Sequence, residues 1–530
     1  MAPHLTVLFE LLLQLVGAYA MGHQDFDLPG TLTRLFYLLF AVCFTFVVIS
    51  IFFYGVCQTP AQQVVMVTGT AVCFTVLCLL DQQIGRNERV FEQHYKRILI
   101  IFLAAMFALE MILALTLRHG TWFDVGALHQ GAAEWVETGT FASFYGYYGY
   151  FPNNLGGMTF LYVFFKAASL VGFTDYYAVA SLVTCTMLVP MMAIVSLVCK
   201  RLAGVKSAVL SLALFALSIQ FWVLGGAVYT DTLSMLFPVL IVYLYLLSKE
   251  EKGWRKLCLY LLMGLAAGIG SLNKITVLIM VVAVLIDMGL RFEWKELLKI
   301  AVCTLGIAAV MSTALSAYMY SAHLSREEAE IHNTPLLHWI MMGLKGDGRY
   351  NSEDYAFTRS LEPEERSTAL LEEIGRRVNE RGMTGMITLF SQKSAIDFGN
   401  GTYGAHDFLG INPKRHTWLH DFVLEDGRFY WLYSGYTTAL HTALMLFMLI
   451  AAYRFIVGGV REQEEGSLLL PLYATVFGIW LFLMFWEACP RYFSNFAPVI
   501  IVCGVLGTAQ VSTAVTKLAG RQTSSEDAPG

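Results

Sequence analysis

Charge is scarce in this chain. Asp, Glu, Lys and Arg make up 14% of the 530 residues, 57% are hydrophobic, and the mean hydropathy is +0.59. A soluble globular protein carries roughly a quarter charged residues, so that class is excluded. Cysteine is missing from the two longest hydrophilic stretches, 118–176 and 321–430, and the ten cysteines lie in apolar runs or at their ends. That excludes a disulfide framework and a thiolate metal cluster. No basic stripe or recognition module is present, so nucleic acid is not a partner. A GxxxxGK[ST] loop is missing, and with it the signature of an ATP-driven pump. There is no inverted repeat of the kind many secondary transporters show, and no solenoid period.

What the chain has is apolar length. The segments 5–21, 35–57, 62–80, 98–117, 177–199, 207–226, 231–248, 257–272, 275–290, 298–320, 431–455, 466–487 and 492–513 read as spans by the length rule. The expectation is an all-α polytopic membrane protein of about thirteen transmembrane helices. Segment 5–21 lacks a basic n-region and reads as a retained first span. Short loops rich in Lys and Arg set orientation: Arg86 to Arg97, Lys200 to Lys206, Lys249 to Lys256, Arg291 to Lys299, and Arg454 with Arg461. They share the cytoplasmic side only if 157–173, which is apolar but carries Lys166, lies at the interface without crossing.

The resulting organisation has additional N-terminal helices over 1–97 and a membrane core over 98–320, with 118–176 as its first outer loop. An outer cap spans 321–430, C-terminal helices span 431–513, and 514–530 forms a cytoplasmic tail. The polar residues with no anchoring duty then collect on the outer side.

Asp124, beside Trp122 and Phe123, is a candidate general base; otherwise it is a solvated loop residue or a helix cap. Asp231 follows Tyr229 and Thr230, where it caps a helix or binds a hydroxyl opposite Asp124. Lys274 snorkels or holds a phosphate. Arg491, next to Tyr492, ties down Glu487 or offers its forked donors to phosphate oxygens. Lys166 has the same phosphate-binding option. Tyr145, Tyr147, Tyr148 and Tyr150, followed by Asn153 and Asn154, form either an interfacial aromatic belt or a surface for a sugar or lipid head. Glu110 and His441 lie within spans and face the bundle interior, while Asp287 reads as structural. His416 and His420 are four apart, but with no HExxH pattern they read as satisfied histidines and no metal site is assigned; dependence on a divalent metal is left open. Asn400-Gly401-Thr402 matches a glycosylation acceptor triplet.

Taken together, span 98–117, Asp124, the segment 125–173, the Tyr229-Thr230-Asp231 turn, the Glu487…Arg491-Tyr492…Pro498 stretch and Pro335…His338-Trp339…Gly343 resemble the GT-C superfamily of membrane glycosyltransferases. The resemblance is narrowest to the protein O-mannosyltransferase and aminoarabinose-transferase group and its Gram-positive bacterial relatives. It implies a polyprenyl-phosphate sugar as donor, no cofactor, an active site on the extracytoplasmic face of the plasma membrane, and inversion at the anomeric carbon. It also implies Asp124 as the base and Arg491 with Lys274 as neutralisers of the leaving phosphate. Tyr229, Asp231, Tyr492, Tyr148, Asn153 and Lys166 then contact substrate. Protein-mannosylating members often carry two adjacent acidic residues where this chain has Asp124-Val125, which leaves a second acidic role open. The partners expected are membrane lipid, the lipid-linked sugar, and an extracytoplasmic acceptor that is an envelope glycan, a lipid or a protein. The alternatives are a lipid or polysaccharide transporter, with functional charge at the bundle midplane, and a non-catalytic scaffold of envelope assembly.

Overall fold

A computed structural model describes residues 28–55 and 59–526, with side chains described as far as 514. The predicted span 5–21 lies outside the described residues. Among the described residues every regular element is helical, as expected where lipid gives an unpaired backbone no hydrogen-bond partner.

Ten helices among the described residues are long and apolar enough to cross a bilayer. In chain order the elements are α1 (Leu28–Tyr54), α2 (Pro60–Arg86), α3 (Glu88–Thr116), α4 (Phe123–Thr138), α5 (Tyr145–Tyr150), α6 (Leu155–Leu170) and α7 (Tyr176–Leu217). They continue with α8 (Thr230–Ser248), α9 (Gly253–Asn273), the shorter α10 (Ile275–Leu290) and α11 (Trp294–Ala322). The last are α12 (Pro363–Phe398), α13 (Tyr430–Val457), α14 (Val460–Phe485) and α15 (Ser494–Ala514). The 42 residues of α7 do not form one rod. Gly204 sits at φ +83°, and the Ser196 hydroxyl bonds the Ala208 carbonyl at 3.0 Å. Twelve residues of straight helix would separate that pair by about 18 Å. The chain therefore doubles back at Ala203-Gly204 into two passes, in agreement with the expected spans 177–199 and 207–226.

One end of the bundle is laced with ion pairs: Lys206 with Asp81, Arg201 with Glu250, Lys256 with Glu296, and Lys249 and Arg291 with Asp287. These are the residues of the predicted basic loops. Asp287, which also accepts the Tyr245 hydroxyl, is the structural anchor its position suggested. The opposite end carries a different pair. Arg118, just past α3, makes a two-pronged bond to Asp175, which caps α7 (2.7 and 2.6 Å). Leaving and re-entering the bundle at one spot, the chain between 118 and 175 stays at that end. This is the placement that the charge argument required of 157–173. The 16-residue α6 packs on α4 and crosses the end of α9 so closely that a Cβ on Gly156 would lie 1.9 Å from the Leu272 carbonyl oxygen.

The expected cap over 321–430 needs correction. Its first half holds the short helices Arg326–His332, Leu336–Met342 and Ser352–Ser360 and the first part of α12. At Gly382 (φ +58°) α12 turns, and residues 383–398 leave the cap for the bundle. Ser391 bonds Ser50 of α1 at 2.7 Å, Phe398 packs on Phe44, and Trp480 of α14 donates to Ser394. Residues 399–404 follow them inward, where the Tyr403 hydroxyl meets His441 at 3.3 Å. Hydropathy hid this piece because it is short and carries Lys393 and Asp397, both fully enclosed by protein. Asn400 is buried too, so the glycosylation triplet is not displayed.

Candidate functional site

The site lies at the end of the bundle opposite the basic loops, where five chain segments converge. The first follows α3. Residues 118–120 are knitted to the loop after 410 by Gly120 N–H bonding the Ile411 carbonyl (2.6 Å) and Lys414 N–H bonding the Arg118 carbonyl (2.8 Å). The His119 ring sits between the carbonyls of Gly120 and Gly226, and burial holds its basicity below the ordinary histidine value. Phe123 then adopts φ +50°, a conformation that bulky L-residues avoid. The strained residue delivers Asp124 to the first turn of α4. Asp124 does not cap that helix, because the cap position belongs to Trp122.

Asp124 instead accepts two phenol hydroxyls, Tyr147 from α5 at 2.6 Å and Tyr229 at 3.1 Å. Asn154 donates its amide to the Tyr147 oxygen at 2.6 Å, which turns the Tyr147 proton toward the carboxylate. Burial, then the Asp124 charge, pushes the ionisation of both phenols upward, so both remain donors.

Tyr229 is the cap residue of α8, and its N–H is bonded by Thr232 Oγ1 at 3.3 Å. This corrects the reading of Asp231 as the cap. Asp231 sits in the first turn, two residues past the cap, 1% exposed, with its carboxylate in an ion pair with Lys274. Lys274 occupies the non-helical link between α9 and α10, and its ammonium lies 4.9 Å from the centre of the Tyr492 ring.

Arg491 completes the group. Its Nη2 is 3.9 Å from Asp124 Oδ2, and its Nε is 3.8 Å from Asp231 Oδ2. The rings of Tyr229 and Tyr492 flank it, each 5.4 Å away. Burial opposes the Arg491 charge, but Cys489, Tyr492, Tyr229 and Asp231 outweigh burial and hold it protonated. Glu487 takes the Tyr492 hydroxyl at 3.1 Å, so it is not the ion-pair partner that sequence spacing offered for Arg491. Arg491 Nε and Asp231 Oδ2 are both buried and make no hydrogen bond among the described residues. A donor left unspent inside a protein is costly and calls for a ligand-side explanation.

Of the nine residues given a catalytic or substrate-binding role from sequence, six meet here: Asp124, Tyr229, Asp231, Lys274, Arg491 and Tyr492. Three do not. Tyr148 is fully buried and donates to the Ala127 carbonyl at 2.9 Å, holding α5 against α4. Asn153 is exposed and reaches only Asn154. Lys166 lies exposed near the far end of α6. In the first two cases a neighbour takes the expected place, Tyr147 for Tyr148 and Asn154 for Asn153. Tyr147 and Asn154 lie on separate short helices, Tyr145–Tyr150 and Pro152–Asn154, broken at Phe151, so no single period in the sequence marks the pair.

Outside the site, Glu110 faces the bundle interior beside Cys185, as expected. His420 is buried, with Nδ1 bonded to Thr417 but Nε2 left without a partner among the described residues, which corrects the reading of a satisfied histidine; its ring stacks on His416. Among the described residues no three His, Cys, Asp or Glu side chains come together as a metal set would. An open cavity of about 550 Å³ in the cap is lined by Lys345, Asp354, Glu373 and Arg377, whose charges pair with one another.

No curated protein and no solved structure matches this chain. A family described as conserved hypothetical integral membrane protein matches residues 28–512, nearly the whole of the helical bundle and the entire site. The chain belongs to that family of integral membrane proteins.

Proposed function

We propose that this protein is a membrane glycosyltransferase of the GT-C type. It moves a sugar from a polyprenyl-phosphate donor to an acceptor hydroxyl at the outer face of the plasma membrane. The observation that carries the reading is Arg491, whose buried Nε is unspent between Asp124 and Asp231. A forked cation with a free donor suits a phosphate oxygen, and a carboxylate held by two phenols suits a base.

In this reading Asp124 takes the proton from the acceptor hydroxyl as its oxygen attacks the anomeric carbon. The new glycosidic bond forms on the face opposite the phosphate. The bond from the anomeric carbon to the phosphate oxygen breaks, and its electron pair leaves with the phosphate. Arg491 and Lys274 offset that charge in a site where water is scarce. Tyr147 and Tyr229 fix the direction of the Asp124 lone pairs, and Asp231 holds the two cations in register. The acceptor is an envelope glycan, a lipid or a protein. The Lys/Arg bias of the opposite end supports an outward-facing site.

Mass spectrometry of lipids retained by the purified full chain tests this. A polyprenyl-phosphate sugar is expected with the native protein and not with Arg491→Gln. A completed glycolipid would favour transport, and bulk phospholipid alone would remove the donor assignment.

A further inference from the structure

Two charges of α12 lie deep inside the helical bundle. Residues 383–398 of α12 expose Met383 (79%) and Ile387 (53%) in their first turns, yet the last turns are enclosed by protein and bury Lys393 completely and Asp397 to 1% exposure. Buried charges on such a helix call for a specific partner. Here the partners are backbone groups, and they belong to the segment that carries Arg491.

The Lys393 ammonium bonds the carbonyl oxygens of Gly343 (3.2 Å), Met484 (2.9 Å) and Trp486. It thereby satisfies the end of α14, where carbonyls are left unpaired and a cation is favoured. One turn further on, Asp397 Oδ1 accepts the Cys489 N–H at 2.9 Å. The cap closes over the same stretch: Ala488 N–H bonds the Gly348 carbonyl at 2.8 Å, and a Cβ on Gly343 would lie 2.5 Å from the Trp486 oxygen. Only Pro490 separates Cys489 from Arg491. Beyond them, Tyr492 N–H bonds the Cys489 carbonyl and Ser494 N–H the Arg491 carbonyl. The backbone is thus fixed on both sides of Arg491, and on the near side two side chains of α12 share the hold with the Gly348 carbonyl of the cap.

We propose that Lys393 and Asp397 are positioning residues that hold the 486–492 segment so that Arg491 stands between Asp124 and Asp231. The geometry of the hold is independent of chemistry; its value to the reaction rests on the donor reading given above.

Hydrogen exchange on the purified full chain, combined with binding of farnesyl phosphate as a short polyprenyl phosphate, tests the proposal. In Asp397→Ala the amides of 487–492 should exchange at least tenfold faster, while α1 and α13 keep their protection. Asp397→Asn retains a carbonyl acceptor for Cys489 N–H and should restore slow exchange. Farnesyl phosphate should bind about tenfold more weakly to Asp397→Ala, as expected when one hydrogen bond to a charged partner is spoiled. That loss should vanish in an Arg491→Gln background, because the two residues act through one contact.

Unchanged exchange over 487–492, uniform loosening of every helix, or additive losses in the double variant would each overturn the proposal. Should the native protein fail to bind farnesyl phosphate, the donor reading falls, and exchange alone decides the positioning.

Discussion

The Tyr229 hydroxyl lies 3.1 Å from Asp124, a bond between residues 105 apart in sequence that ties the start of α8 to the start of α4. With the Tyr147 bond from the other side, the carboxylate has no freedom to rotate away. Hydrogen bonds to a charged group contribute about 1.5–3 kcal/mol each. Tyr147→Phe should therefore lower kcat for sugar transfer by about tenfold with little change in donor KM, since an orientation is lost and not a donor contact. Tyr229→Phe should do the same. Steady-state kinetics with varied donor read both.

Lys274 and Asp231 form an enclosed ion pair, with side chains 14% and 1% exposed. Removing one partner of a buried pair costs about 3–5 kcal/mol, mostly because the other charge is stranded. Lys274→Met should depress the thermal midpoint of the purified protein by several degrees. Lys274→Met with Asp231→Asn should recover most of that loss. Both variants are expected to lose transfer, so stability and activity part company in the double variant.

Glu487 gives the protein a pH signature. Burial, reinforced by the Asp124 charge and opposed by Arg491 and the Tyr492 hydroxyl, raises its carboxyl above the ordinary value. A carboxyl raised in the folded state contributes stability that is fully present below its unfolded value, near 4.5, and is lost as pH rises through the folded value. The thermal midpoint of the native protein should thus fall relative to Glu487→Gln as pH increases above about 4.5. Parallel curves for the two proteins would show that Glu487 carries no such linkage.

Much of this arrangement was legible in the sequence, and the reason is physical. Span length and the one-sided placement of Lys and Arg follow from bilayer thickness and charge cost, which act on every residue of a helix. That was enough to bring Asp124, Tyr229, Asp231, Lys274 and Arg491 to one end. The side chain that actually faces Asp124 was harder, because Tyr147 and Tyr148 differ only in helical phase, and a six-residue helix gives too few turns to fix the phase. The inward run of α12 was hidden for another reason. Its two charges are matched by backbone carbonyls and an amide of a distant segment, and no local pattern reveals such partners.

Orientation is open to a direct check at exposed tryptophans. Trp122 and Trp418 stand at the site end and Trp254 at the basic end, each at least 70% exposed. A membrane-impermeant maleimide added to intact cells should label Trp122→Cys and Trp418→Cys above the native background but leave Trp254→Cys unlabelled.

The most direct measurement is transfer from a purified polyprenyl-phosphate sugar by the native protein and by Asp124→Asn. Loss of a positioned general base lowers turnover by about 10²–10⁴-fold, and the variant should show that loss with unaltered expression and farnesyl phosphate binding. Turnover by Asp124→Asn close to that of the native protein would contradict the role assigned to this carboxylate.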